Sequence, residues 1–515
     1  MLPLALADVI QSTKGLSIYF IGFLIFCLIY NRWKISYWYR NGIPGPKSIP
    51  FVGNALDLLF KPSFETELDY VRKYGKIVGI YHGCQPNLII ADPDLIKSIT
   101  VKEFSCFPES FSFPYLSPIE RKFLTVLYGN EWKRVRSLLS QTFTTGKLKK
   151  VFELIKSCMV SRLDDLRLSQ DNLESSFIDV KHFWGRYNLD VTAKAFFGTD
   201  LNVYSQSKAQ QVLYNFEQTF KTNPISMIIN MVAPEWFNRL TRQSAFNTEN
   251  LEYLEKLAEA VIEARKEHNP NHKYNDFLQL LLESEVNEDT NESNCEGKSV
   301  SNDINRQRLS TDEIVSSAVI FLIAGYETTS TLLSWTCYEL TRNPDIQEKL
   351  YSEIDSLTDV NYETINECVY LEAVINESLR LHPPVILLPR VAHSDYQLPG
   401  KGSPVLPKGS KAFISIYALH HNPEYYPEPY VFQPERFLPE NRSKIKPFTF
   451  LPFGSGPRLC IGMRFALINA KLALALFLKQ YKLVDNVHTT KDIEHIFQFG
   501  VLAAKNLKVG IEKRN

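Results

Sequence analysis

Apolar residues are distributed along this chain in two ways, as one uncharged block near the start and as helical stripes almost everywhere after it. From Leu16 to Tyr30 the sequence reads LSIYFIGFLIFCLIY. At ~1.5 Å per residue this run is somewhat short for a ~30 Å hydrocarbon core. The reticulum bilayer is a few Å thinner and flanking side chains snorkel, which closes the gap. Arg32, Lys34 and Arg40 follow, interleaved with Trp33, Tyr37, Trp38 and Tyr39, whereas only Asp8 and Lys14 precede the run. Aromatics belong at the interface and basic excess in the cytosol. The pattern predicts one span of the endoplasmic reticulum membrane with the bulk of the protein cytosolic. A cleaved signal peptide is the alternative, but Tyr30-Asn31-Arg32-Trp33 offers no small-x-small site. On the cytosolic side the sequons at Asn291, Asn376 and Asn441 carry no glycan.

Ile43-Pro44-Gly45-Pro46 then makes a stiff, non-helical bend suited to a hinge. The predicted organisation is an anchor over residues 1–33, a basic-aromatic and Pro-rich hinge over 34–46, and one catalytic domain over 47–515. No long linker divides the last of these and no repeat is present. Short strand-like runs stand at Ile77–Tyr81, Asn87–Ile90 and Ala412–Ile416, and the rest is mainly helical. Val286–Arg308, rich in Asn, Glu, Asp and Ser, reads as a solvated connector. Ile225–Phe237 (ISMIINMVAPEWF) is too short to span a bilayer, and reads either as core or as a segment dipping into the membrane surface.

Composition narrows the function. Lys plus Arg and Asp plus Glu are 57 each, which excludes a nucleic-acid binder working by bulk charge. The eight cysteines are scattered without a CxxC pair, as expected of free thiols facing a reducing compartment. One of them stands apart. Phe453-Gly454-Ser455-Gly456-Pro457-Arg458-Leu459-Cys460-Ile461-Gly462 has three glycines and a proline in ten residues, so it is a tight loop. Met463–Tyr481 behind it is apolar and helical in pattern. Cys460 therefore precedes a helix N-terminus, where backbone N–H groups favour a thiolate. A cysteine in that position is otherwise more often a plain core thiol.

This ten-residue loop resembles the heme-binding signature of the cytochrome P-450 superfamily. Ile43-Pro44-Gly45-Pro46, Trp132–Arg136, Ala324–Thr328, Glu377–Arg380 and Pro434–Phe437 fall in that family's order and approximate spacing. The wording is most similar to the branch of broad-specificity liver drug oxidases and thromboxane synthase. The resemblance implies a mostly α fold with a small β-rich lobe, preceded here by one transmembrane helix. It implies heme b with Cys460 as the axial thiolate, and electrons from NADPH through a reductase, with cytochrome b5 as a further partner. Phe453 would shield the sulfur, while Gly456 and Gly462 would permit the turn and close approach to the heme. Trp132 and Arg136, four apart on one helix face, together with Arg390 and Arg458, are the implied partners of the heme propionates, arginine's planar fork suiting carboxylates. Alone, each arginine would read as a surface ion-pair residue. This branch also carries an arginine in the loop before this helix, here Phe107–Lys122, but Arg121 is too displaced to take that role.

Glu377 and Arg380 share a helix face at i, i+3, and with Arg436 would form the family's buried ion network; the bland reading is a solvated pair. In the long apolar helix over Ile314–Leu340, Phe321, Ala324, Gly325 and Thr328 fall on one stripe. Unaided, that stripe reads as a core face. By resemblance Ala324 and Gly325 face the heme, and Glu327 with Thr328 is the acid–alcohol relay for protons. Thr328 is also spaced to hydrogen-bond the Ala324 carbonyl and bend the helix. By alignment the substrate pocket draws on Phe111, Phe113, Tyr115, Leu116, Phe321, Ala324, Val385, Ile386, Leu387 and Leu502. This apolar set favours a lipophilic small molecule. Lys133, Arg134, Lys147, Lys149 and Lys150 are either a landing face for an acidic reductase or a solvated surface. A monooxygenase is the expected activity. A heme-thiolate isomerase acting on peroxides, which needs no Thr328 relay, and a non-catalytic heme-binding protein are the alternatives.

Overall fold

The computed structural model describes residues 19–514, apart from 112, 114, 171–176, 199–211, 213, 217, 220–223, 243, 245, 269–275, 284–307, 401 and 499. The connector predicted over Val286–Arg308 lies outside the described residues except for Arg308, as do Asn291 and the first three residues of the apolar run.

Residues 19–34 form helix α1, and Tyr19, Phe20, Phe23, Phe26 and Ile29 on it are all exposed. Its end is seated on the globular body. Asn31, 2% exposed, donates to Cys84 Sγ (2.6 Å) and accepts from the Phe51 amide (2.9 Å). The segment expected to hinge is tied down as well. Trp38 is buried, its amide donates to the Tyr81 hydroxyl at 2.7 Å, and its indole lies over Gly79, where a Cβ would come within 2.5 Å of it. Gly45 needs its missing side chain too, because the Gly79 carbonyl would lie 2.0 Å from a Cβ.

Next come α2 (Ser63–Tyr74), β1 (Ile77–His82) and β2 (Gln85–Ile90), then α3 (Gly129–Ser140), α4 (Thr145–Gln170), β3 (Phe177–Asp179) and α5 (Val180–Phe197). Beyond these lie α6 (Pro224–Val232), α7 (Glu235–Thr241), α8 (Thr248–His268), α9 (Thr311–Arg342) and α10 (Val369–Leu381). The chain closes with β4 (Leu387–Val391), β5 (Lys411–Ser415), α11 (Met463–Gln480), β6 (Tyr481–Val484), β7 (Glu494–Gln498), β8 (Val501–Lys505) and β9 (Lys508–Lys513). The small lobe is a four-stranded sheet in the order β1-β2-β5-β4, parallel only between β2 and β5. Two further antiparallel groups, β3-β9-β6 and the β7–β8 hairpin, lie near the C-terminus.

The helical lobe is built around α9. Ser310 caps it in a reciprocal capping box with Glu313, and Asp312 and Glu313 complement its N-terminal dipole. Among the described residues it is the one helix long and apolar enough to cross a membrane, but it is enclosed by protein and serves as the core helix. α5 packs along it closely: Thr192 leaves room for no side chain at Gly325, where a Cβ would lie 2.9 Å from its methyl group. Ile225–Phe237 falls on α6 and α7, where Ile225 and Trp236 are 62% and 67% exposed. The core reading of that segment therefore does not hold at its ends.

Candidate functional site

The loop before α11 closes on itself through a 2.9 Å bond from the Cys460 amide to the Phe453 carbonyl. Gly456 has a φ of 71°, and the Thr100 carbonyl lies where its Cβ would be, 2.0 Å away. Both the turn and the contact require glycine there. A Cβ on Gly462 would meet nothing within 4 Å, so beside Cys460 the loop faces open space. Burial pushes the Cys460 thiol up, while the Gly462 amide, Arg136 and the Met463 amide pull it down. The cysteine is nevertheless exposed. A side chain crowded by protein and still exposed fronts an internal hollow.

A second break in burial shows in α9. From Glu313 to Cys337 every side chain is buried except Ala324, which is exposed, and Gly325 and Thr328, which are half-buried. This short opening faces space inside the helical lobe. The Thr328 hydroxyl donates to the Ala324 carbonyl at 2.7 Å. Glu327 is turned away from it. Its carboxylate is paired with Lys181 of α5, whose ammonium also lies 3.3 Å from the Thr331 hydroxyl and 3.4 Å from that of Ser330. Phe321 is likewise turned into the core, against Phe143 and Phe196, each ring centroid 5.4 Å away. At 100° per residue it stands about 60° around the helix from Ala324, at the edge of the stripe nearest α5.

Three arginines converge at the rim. Arg136 donates to the Leu459 carbonyl at 2.7 Å. Arg458 lies 4.4 Å over the Trp132 ring and donates to the carbonyls of Pro108 (2.5 Å) and Leu127 (2.6 Å). Arg390 reaches Ser110 Oγ at 3.2 Å. Among the described residues none of the three has a carboxylate in ion-pair range, and the buried Nε atoms of Arg390 and Arg458 have no hydrogen-bond partner. Burial lowers Arg390 to about 10. Burial, then the charges of Arg390 and Arg136, lowers Arg458 to about 9. Buried cations that repel one another and lack an anion need a ligand bringing negative charge. A dicarboxylate seated between Cys460 and α9 meets that need, and heme with its two propionates is such a group. The residues present fit it.

Behind this site Glu377 and Arg380 are both fully buried and paired through two bonds, Arg380 Nη2 to Oε1 at 2.7 Å and Nε to Oε2 at 2.8 Å. Arg436 Nε lies 3.5 Å from the same carboxylate. The solvated-pair reading is excluded by this burial. Of the expected pocket residues, Val385 and Leu387 are half-exposed while Ile386 is buried, the alternation of a strand. Ile386 and Leu502 instead pack on Phe64 in a small core of their own. Phe111 and Phe113 stack at 5.9 Å, and Tyr115 and Leu116 are half-buried beside them. The Arg121 side chain bonds the Leu116 carbonyl. Lys133, Lys149 and Lys150 are exposed, but Arg134 is taken by Glu313 and Lys149 by Glu363. Lys181 is the site residue that the sequence reading missed. It lies 146 positions from its partner, and nothing local marks it.

A family model described as Cytochrome P450 matches residues 43–510. The chain belongs to the cytochrome P450 family. It is 36% identical to Cytochrome P450 3A11 of Mus musculus over 470 residues, covering 89% of this chain and 88% of that protein. It is 34% identical to Cytochrome P450 3A7 of Homo sapiens over 504 residues, 96% and 95% of the two chains. Cytochrome P450 3A56 of Fundulus heteroclitus is 35% identical over 506 residues, 94% and 95%. This cytochrome P450 is thus a heme-thiolate monooxygenase acting on lipophilic molecules, with its electrons supplied from NADPH through a reductase. The comparisons lend no support to the isomerase or the non-catalytic alternative.

Proposed function

We propose that this chain works as a membrane-anchored monooxygenase in which Cys460 is the iron ligand and the α9 opening at Ala324, Gly325 and Thr328 is the reaction face. The observation that carries the reading is the exposure of Cys460 in a loop crowded by protein, together with the break in the burial of α9 at Ala324, Gly325 and Thr328. When bound, heme supplies the redox chemistry of dioxygen activation. The chain's own residues do the rest. Trp132, Arg136, Arg390 and Arg458 hold the propionates. Phe453 and the N–H groups of Gly462 and Met463 shield and polarise the sulfur, while Gly456 sets the turn. Glu377, Arg380 and Arg436 brace the loops behind the site. Thr328 holds a proton at its Oγ1 in a pocket otherwise apolar, while Glu327, expected as its acid partner, is paired with Lys181 and braces α9 against α5 instead. Phe111, Phe113, Tyr115, Leu116, Val385 and Leu387 exclude water around a lipophilic substrate, with Phe321, Ile386 and Leu502 supporting them from the core.

Residues 1–33 act as a single reticulum-membrane anchor, with 34–46 as the strap joining it to the catalytic domain at 47–515. The exposed apolar side chains of α1, α6 and α7 favour lipid contact, the reductase lands on the basic face around Lys133, and cytochrome b5 is a further partner. The test is turnover of a lipophilic substrate with reductase under isotopically labelled dioxygen. One labelled oxygen in the product per NADPH consumed is expected. Product formed without NADPH, or without label, contradicts the reading.

A further inference from the structure

Trp335 is seven residues past Thr328 and eleven past Ala324. At 100° per residue all three share one face of α9, and Trp335 stands two turns, ~10.5 Å, beyond Thr328. The face that opens onto the hollow is therefore closed two turns on by an indole that is 1% exposed. Two imidazoles lie against it. The His382 ring stacks on Trp335 with centroids 3.9 Å apart and planes 4° from parallel. The His495 ring of β7 lies 5.6 Å away at 26°, and also 5.3 Å from Phe64 of α2. Glu339, one turn after Trp335, holds His382 Nε2 at 2.7 Å. Burial, then charge on His382, keeps His495 below the usual histidine range. A second tie joins the same two helices, the Thr336 hydroxyl to that of Ser378 at 2.9 Å.

The wall of the pocket begins immediately C-terminal to His382. Pro383 and Pro384 stiffen the chain, and the Pro384 carbonyl accepts from the Leu502 amide at 2.8 Å. Val385 bridges to Val501. Leu388 then reaches the cysteine loop, its Cδ1 3.5 Å from where a Cβ on Gly454 would lie. One short, stiff segment thus runs from the ring stack on α9, past half-exposed Val385 and Leu387, to the loop that carries Cys460. Any slip of the end of α10 along α9 moves that wall relative to Thr328.

We propose that His382, stacked on Trp335 and held by Glu339, is a specificity-determining positioning residue that fixes the distance between the Val385–Leu387 wall and the reaction face of α9, and so the bulk of lipophilic substrate the hollow accepts. This rests on the heme occupying that hollow. The test uses the full-length holoenzyme and two probes that bind heme iron through an azole nitrogen, imidazole and phenylimidazole. Imidazole reads the iron alone, and the added phenyl ring reads the wall. In His382→Ala, imidazole affinity stays at the parent value while phenylimidazole binds roughly ten-fold more weakly (~1.4 kcal/mol). His382→Phe, which keeps a ring on Trp335, recovers most of the loss, and Glu339→Gln falls between. Thermal unfolding of each variant is measured alongside. An unchanged phenylimidazole-to-imidazole ratio in His382→Ala, even with a lowered melting point, overturns the proposal. So does an equal loss for both probes. If His382→Ala does not retain heme, Glu339→Gln and His382→Phe carry the same comparison, and an unchanged ratio in both overturns it. Failure of the parent protein to bind either azole would instead strike at the heme reading itself.

Discussion

Replacing Glu377 by Gln tests whether the pair behind the cysteine loop behaves as its burial requires. The change keeps size and shape but removes the charge facing Arg380. Arg380 is itself fully buried, and after the substitution it keeps the carbonyls of His420 (2.9 Å), Pro429 (2.8 Å) and Val431 (3.3 Å) and at most one neutral bond to the Gln amide oxygen. The ion pair is lost, one of its two bonds becoming neutral at best, and the amide NH2 is turned either toward the guanidinium or toward the Gln433 N–H, which in the parent bonds Oε1 at 2.9 Å. Breaking one side of a buried pair costs ~3–5 kcal/mol, whereas an exposed helix pair is worth ~1 kcal/mol or less. The difference is read by urea unfolding of the holoprotein, followed by both the Soret band and far-ultraviolet circular dichroism. Coincident transitions with an unchanged slope let the midpoint shift be read as stability. A loss below ~1 kcal/mol would refute the argument that this pair is a desolvated brace.

Thr328→Ala should keep a normal heme and substrate-binding spectrum but uncouple turnover, with NADPH consumed and peroxide replacing much of the product. Positioned proton transfer typically contributes ~10²–10⁴-fold; Thr328→Ser should restore coupling, and tight coupling in Thr328→Ala would remove the hydroxyl from the mechanism. Glu67 is buried with one bond, from Ser415 Oγ at 2.8 Å, and burial raises its carboxyl from 4.5 to about 8. A raised folded value favours the fold below 4.5, and that contribution is lost as pH climbs through about 8. The parent should therefore lose up to ~1.4 kcal/mol per pH unit over that window relative to Glu67→Gln, and parallel pH–stability curves for the two proteins would contradict it. Protease added to sealed microsomes should digest the catalytic domain and find no glycan on Asn291, Asn376 or Asn441; protection without detergent would overturn the topology.

Local pattern sufficed where the structure is local. The apolar stripe of Ile314–Leu340 became α9, the helix expected to carry Trp132 and Arg136 on one face became α3, and the glycine-rich run became a loop closed around Cys460. The Thr328 bond to Ala324 follows from i, i−4 spacing alone. What the sequence could not show depends on partners distant along the chain. Glu327 meets Lys181 on α5, so its carboxylate lies off the Thr328 side. Ile386 and Leu502 were aligned to the pocket, but strand alternation and the β7–β8 hairpin place them in a core with Phe64. The Ile43–Pro46 bend suggests a free hinge only until Gly79 is seen beneath Trp38 and beside Gly45. Periodicity finds an element and its apolar face, and tertiary packing decides which edge of that face meets solvent, core or hollow.

The central claim is that Cys460 holds the iron as a thiolate, and the ferrous carbon monoxide complex tests it most directly. The account predicts the strongly red-shifted Soret band of thiolate ligation in the parent protein, and loss of heme or of that band in Cys460→Ala. A normal thiolate band in Cys460→Ala would contradict it.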